Sequence, residues 1–231
     1  ASTMFAYNSC PPDPEIVGTK WKDMWLERLE GSGLWLKKWL EHQRFDDYWK
    51  HASVMFSYDK IKCPVFAISG WADGYSNAVF RLMENLKVPR KGLIGPWGHK
   101  YPHLGGPGTT IDFLGEALRW WNRWLKDEKN GVDDEPMIRT WMQDTVSPVS
   151  EKRPGAWVAE ENYPSENVVE QHFKLKNREI DFENNLPPYK AALKIQSPLS
   201  VGLFAGKWCS YAASTDLPSD QREEDGGALL F

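Results

Sequence analysis

Two short apolar runs flank an amphipathic stretch between residues 63 and 101, and that order restricts the fold more than any other feature of the chain. "CPVFAIS" (63–69) mixes β-branched and aromatic residues, and its Pro64 is tolerable only at a strand start or edge. From Ser76 to Lys87, the residues Val79, Phe80, Met83 and Leu86 fall on one helical face. "KGLIG" (91–95) is a second short strand. Strand, helix and strand with tight links make a βαβ unit, which predicts two parallel neighbours in a sheet covered by helices.

On the N-terminal side, residues 1–57 read as loop and short helices. Trp21, Met24, Trp25 and Leu29 have helical spacing, as do Leu36, Trp39 and Leu40, with "GSG" (31–33) between them. On the C-terminal side, Thr109 or Thr110 is placed to cap a helix with Ile111, Leu114, Leu118, Trp121 and Leu125 inward and Gly131 at its end. Beyond "DDEP" (133–136) the pattern changes. "MIRTWMQ" (137–143), "AWVAE" (156–160), "VEQHFKLK" (169–176) and "SVGLFAG" (200–206) are strand-like runs between Pro, Asn, Ser and Gly clusters. That stretch predicts an antiparallel sandwich or jelly roll, with a domain boundary near Asp134. The divisions are therefore 1–57, 58–134 and 135–231, an α/β part followed by an all-β part. The final "ALLF" looks like the start of a further strand.

Composition excludes several partners. A net charge of -4 gives no reason to expect nucleic acid or an anionic membrane surface. No apolar run is long enough to span a bilayer. Cys10, Cys63 and Cys209 are three scattered cysteines without a CxxC pair, which argues against a disulfide framework and against structural zinc. The 13 Trp read first as bulky core and lid residues, with a sugar-stacking surface as the alternative. The first residues, "ASTMFAYNSCPPDPE", look like a cut rather than a start, so the compartment stays open, with the cytoplasm favoured.

Asp73 lies just past the first strand and His99 just past the second. Open parallel sheets bind ligands beyond the carboxyl ends of their strands, so both side chains are expected to meet above one rim of the sheet. A carboxylate accepting the imidazole Nδ1 proton fixes the tautomer and leaves Nε2 free to take a proton from a nucleophile. Gly70, Gly74, Gly95 and Gly98 flank the pair, where they would let the backbone turn sharply. A metal site is the other candidate, since His99 and His103 are four apart. However, Gly98, Pro102 and Gly105 argue against a helix there, and no third strong ligand stands nearby.

The run "PVFAISGWADGYSNAVFRLMENL…KGLIGPWGH" resembles the second half of the hydrolase domain in the cocaine esterase and X-prolyl dipeptidyl-peptidase family. Asp73 fits that family's Gly-Trp-x-Asp segment through Gly70 and Trp71. His99 fits its Gly-Pro-Trp-x-His segment through Gly95, Pro96 and Trp97. "HQRFDDYWKHAS" (42–53) is similar to the end of its lid, "RWWNRWLK" (119–126) to its last hydrolase helix and "LPSDQREEDGGALLF" (217–231) to a jelly-roll signature. The resemblance implies the C-terminal part of an α/β-hydrolase domain with a helical lid (1–57), followed by a partial jelly roll. It also implies a Ser-Asp-His triad, an acyl-enzyme and no cofactor or metal.

The family's serine sits on a nucleophile elbow earlier in the chain than Asp and His. No serine here qualifies. Ser32 has glycines at the wrong offsets, Ser69 lies inside a strand, and Ser53 and Ser57 lack the glycines. Cys63 opens a strand and reads as a small buried thiol. The expectation is a piece of a serine hydrolase acting on a small ester or a peptide-like substrate, inactive by itself. Its missing half or a second copy is the expected partner. A Trp-rich glycan-binding module and a metal-dependent hydrolase are the competing readings.

Overall fold

The computed structural model describes residues 7–147, 152–176, 179–183, 185, 193–211 and 216–231. The chain divides into two units, Ala1–Ser57 and Tyr58–Phe231.

In the first unit, the Asp13 carboxylate accepts from the Glu15 amide at 2.9 Å and Pro14 takes the first helical position. Neither step wastes a backbone donor, and α1 (Pro14–Val17) follows. Helices α2 (Trp21–Gly31) and α3 (Trp35–Glu41) lie where the apolar spacing predicts them. Ser32 lies between them with its hydroxyl turned back onto the Arg28 carbonyl at 2.5 Å. A fourth helix, α4 (Asp47–Lys50), is capped by Asp46. Trp21 and Trp25 stack at 6.2 Å, and the Trp25 indole donates to the Ser9 carbonyl. No described residue before Ser57 is buried, so these aromatic contacts are half-covered rather than a core.

The second unit is built on the expected βαβ. Strands β1 (Val65–Gly70) and β2 (Arg90–Gly95) run parallel, with Val65 opposite Arg90 and Gly70 opposite Gly95. Between them, α5 (Ser76–Asn85) buries Val79 and Met83 against Ala67 and Ile94. Cys63 does not open the strand. It is exposed on the turn before Pro64, because β1 starts only after the proline.

The next helix, α6 (Phe113–Lys126), differs from expectation at both ends and on its face. Its cap is Asp112, whose carboxylate accepts from the Gly115 amide at 2.9 Å. Thr109 instead offers its carbonyl to the Trp97 indole at 2.6 Å. Asp127, in the left-handed conformation, ends the helix, and Gly131 opens the short turn Val132–Asp134. The helix carries two apolar stripes one residue out of phase. Phe113, Ala117, Trp120 and Trp124 form one, and Leu114, Leu118, Trp121 and Leu125 the other. The aromatic stripe faces the sheet: Trp120 is 4% exposed and its ring lies 5.5 Å from Phe66. The leucine stripe expected to face inward is open to solvent, with Leu118 58% exposed. Trp120 offers more area to bury, which is enough to choose between stripes of equal period.

Strands β3 (Ile138–Gln143) and β4 (Gly155–Glu160) lie beyond the boundary expected near Asp134, yet they extend the same sheet. The order is β1-β2-β3-β4, with β3 parallel to β2 and β4 antiparallel to β3. The sheet crosses residue 134 because Ile138 completes the core with Ala67, Val79, Met83 and Ile94. Trp141 and Trp157 pair across β3 and β4, ring edge to face at 5.2 Å. Below the sheet, Lys91 is 5% exposed and ion-paired with Glu135, which also holds Arg119.

After Glu160 the regular structure is sparse among the described residues. Of the expected strand at 169–176, only β5 (Lys174–Lys176) forms, paired antiparallel with β6 (Glu179–Asp181). The expected strand at 200–206 is a series of turns, such as Val201 to Pro198 and Leu203 to Ser200. Gly202 and Gly206 take positive φ there, which breaks the alternation a strand requires. Within the stretch 217–231, α7 (Arg222–Gly227) forms and "ALLF" pairs with no strand among the described residues. The Glu224 carboxylate of α7 accepts from the Phe204 amide at 2.7 Å and from the Gly202 amide. No helix among the described residues is long and apolar enough to cross a membrane.

Candidate active site

Strand β1 ends at Gly70 and β2 at Gly95, side by side, so the segments that follow leave the sheet together. The Trp71 amide still donates to the Gly95 carbonyl at 2.9 Å, and the Ala72 amide to the Trp97 carbonyl at 3.0 Å. These bonds carry the parallel pairing past the strand ends and deliver Asp73 to His99. Asp73 Oδ2 and His99 Nδ1 are 3.0 Å apart. Asp73 Oδ1 accepts from the Tyr75 amide at 3.0 Å, which fixes the carboxylate plane. An ionised carboxylate can only accept, so the proton between the two groups belongs to Nδ1 and Nε2 is left free.

Exposure differs across the pair. The Asp73 side chain is 9% exposed and that of His99 42%. The carboxylate is covered and the imidazole is partly open to solvent. The His99 amide donates to the Ser210 carbonyl at 2.5 Å, and the imidazole lies between the rings of Tyr75 and Tyr211 at 5.8 and 5.3 Å. A cleft of about 380 Å³ opens beside it, lined by Ser69, Asp73, Trp97, His99, Tyr101 and Phe113 among others. A volume of that size suits a small molecule.

The flanking glycines serve a purpose other than the expected one. Gly70, Gly74, Gly95 and Gly98 all keep ordinary negative φ, so none supplies a left-handed turn. What two of them supply is room for Trp97, which is fully buried. A Cβ on Gly70 would stand 2.0 Å from the Trp97 carbonyl oxygen, and one on Gly95 would stand 2.5 Å from the indole ring.

No serine named from the sequence takes the nucleophile's place. Ser69 stays inside β1, and its hydroxyl is buried with no hydrogen-bond partner among the described residues. Ser53 precedes a short turn and Ser57 closes it. His103 is not part of the Asp73–His99–Cys209 cluster and stacks on Phe113 with an interplanar angle of 2°. The residue that sequence reasoning missed is Cys209. Its thiol, one ring nitrogen of His99 and an Asp73 oxygen all lie within 4.8 Å of one another. Burial first, and then the charge of Asp73, push the Cys209 thiol above its ordinary pKa. Nothing in the stretch "GKWCSY" marks this proximity, which joins residues more than a hundred positions apart through a turn-rich segment.

Residues 3–101 match the X-Pro dipeptidyl-peptidase (S15 family), and residues 130–231 match the X-Pro dipeptidyl-peptidase C-terminal non-catalytic domain. Over both stretches the chain is similar to the X-Pro dipeptidyl-peptidases of the S15 family. It is 21% identical over 215 residues to a protein of Bacillus anthracis named "Putative Xaa-Pro dipeptidyl-peptidase", covering 90% of this chain and 29% of that protein. Two crystal structures of a CocE/NonD family hydrolase from Staphylococcus aureus are similar at TM-scores of 0.48 and 0.47 and identities of 17% and 15%. Each covers 65% of this chain and 26% of the other. The chain thus spans less than a third of the length of these relatives. Asp73 and His99 fall in the first matched stretch, while Cys209 and Ser210 fall in the second. The two stretches meet at the His99 amide and the Ser210 carbonyl.

Proposed function

We propose that this chain carries the acid-base half of a serine hydrolase that cleaves ester or amide bonds, X-Pro peptides among them, through an acyl-enzyme. The observation that carries the reading is the bond between Asp73 and an exposed His99 at the carboxyl ends of two adjacent parallel strands. Asp73 holds the imidazole in the Nδ1–H tautomer and stabilises the imidazolium. His99 Nε2 takes the proton of the attacking serine and returns it to the leaving group. The nucleophile and the oxyanion donors belong to the part of the whole protein outside these 231 residues. In this reading the four-stranded sheet is the C-terminal part of an α/β-hydrolase sheet, and residues 1–57 form lid. The stretch matching the C-terminal non-catalytic domain is a partial jelly roll whose first strands remain joined to β2.

The test is made in the whole protein. His99→Ala and Asp73→Asn should each lower kcat by about 10⁴-fold on ester and X-Pro anilide substrates, as removal of triad members does elsewhere. Circular dichroism should be unchanged, since His99 is open to solvent and Asn preserves the shape of Asp. Either variant keeping most of its activity sinks the assignment. The 231-residue chain alone should resist a fluorophosphonate probe, and stoichiometric labelling would reveal a nucleophile within it.

A further inference from the structure

We propose that Asp73, His99 and Cys209 together form a zinc-type metal site, and that filling it switches off the Asp73–His99 pair. The switching half rests on the hydrolase reading above; the binding half does not.

The donor set is what zinc takes: a thiolate, an imidazole and a carboxylate, with a fourth position open. Bonds of about 2.0–2.3 Å to a tetrahedral ion imply donor separations of about 3.3–3.8 Å. The Asp73–His99 edge is already at 3.0 Å, and all three donors lie within 4.8 Å of one another. A displacement of the thiol by about an ångström is enough to close the set.

Each ligand is also held from behind. The Tyr75 amide holds Asp73 Oδ1, leaving Oδ2 to face the cluster. His99 is fixed by its amide on the Ser210 carbonyl. Cys209 sits between two anchors supplied by Asp216. The Lys207 amide donates to the Asp216 carbonyl at 2.8 Å, and the Tyr211 amide to its carboxylate at 3.3 Å. Outer contacts of this kind orient ligands and raise metal affinity.

The proton balance explains the switch. Binding of the divalent ion releases the thiol proton of Cys209 to solvent. The metal takes the Nδ1 lone pair, so the imidazole stays neutral with its proton on Nε2. That nitrogen can then no longer accept a proton from a nucleophile, and Asp73 is engaged by the metal instead of by Nδ1–H.

Cobalt(II) titration of the 231-residue chain tests the binding. One equivalent should produce a sulfur-to-cobalt charge-transfer band and the visible bands of a four-coordinate ion, both removed by zinc. Cys209→Ser should abolish the charge-transfer band, and His99→Ala should weaken binding at least tenfold. Cys10→Ser and Cys63→Ser should change neither. A band that persists in Cys209→Ser overturns the site, as does a chain with native circular dichroism that binds no cobalt. In the whole protein, zinc should inhibit hydrolysis, and Cys209→Ser should relieve inhibition at least tenfold. If His99→Ala is inactive but zinc does not inhibit, the switch fails and the hydrolase reading stands. If cobalt binds as described but His99→Ala stays active, the hydrolase reading fails and the metal site stands.

Discussion

At Trp97 three contacts converge. Its carbonyl takes the Ala72 amide, its indole N–H reaches the Thr109 carbonyl, and its ring occupies the space left by the missing side chain of Gly95. The residue fixes the approach of the two segments more firmly than the Asp73–His99 bond does, since that bond is partly open to water. Gly95→Ala should therefore destabilise the protein by about 1–3 kcal/mol through overpacking. Urea denaturation of the purified variant gives the number, and a cost below ~0.5 kcal/mol would show that the ring moves aside freely. Asp73 and His99 were readable from sequence because each follows an apolar run of strand length by a few residues. Cys209 was not. Its place depends on a chain of turns around Gly202 and Gly206, for which no periodicity exists to read.

Among the elements, α6 shows most clearly where a pattern stops short of a structure. Spacing identified a helix, but two apolar stripes of the same period left its orientation undetermined. The structure turns Trp120 to the sheet and leaves Leu118 outside. Trp120→Ala should then cost about 3–5 kcal/mol, and Leu118→Ala should stay within about 0.5 kcal/mol. Equal losses in denaturation midpoints would mean that both stripes are covered. The segment 207–211 depends instead on charge. Lys207 first, and then the Tyr211 amide, hold the Asp216 carboxyl below its ordinary value of 3.8, against the opposing effect of burial. A carboxylate with a lowered native pKa adds stability that is complete above 3.8 and lost as pH falls through the native value. Lys207→Met should consequently flatten the acid limb of the stability curve below about pH 4. An unchanged limb, measured by urea midpoints at a series of pH values, would remove Asp216 from the acid response.

On the scale of the molecule, the parallel pair β1 and β2 was plain from strand, helix and strand. The extension through β3 and β4 was hidden by a change in composition at Asp134. Short runs such as "MIRTWMQ" satisfy a sandwich and a mixed sheet equally well, and only the need of Ile138 for a buried partner decides. The sheet also has a direction of weakness. The Val65 and Trp71 amides donate toward β2 and its flanks, so alternation turns the amides of Phe66, Ile68 and Gly70 away from it. In hydrogen exchange, Phe66 and Ile68 should lose protection well before Ala67 and Ser69. Uniform protection along the strand would show that the outer side is occupied too.

That outer side matters beyond exchange rates. Among the described residues no strand pairs with the outer side of β1, so the outward amides and carbonyls of Val65–Gly70 form an adhesive rim, able to accept an extended peptide that offers the matching rhythm. Handled by itself in concentrated solution, the chain would be expected to lengthen its sheet by recruiting a neighbour. A proline placed at Ile68, whose amide points outward, is the simplest way to keep it from doing so.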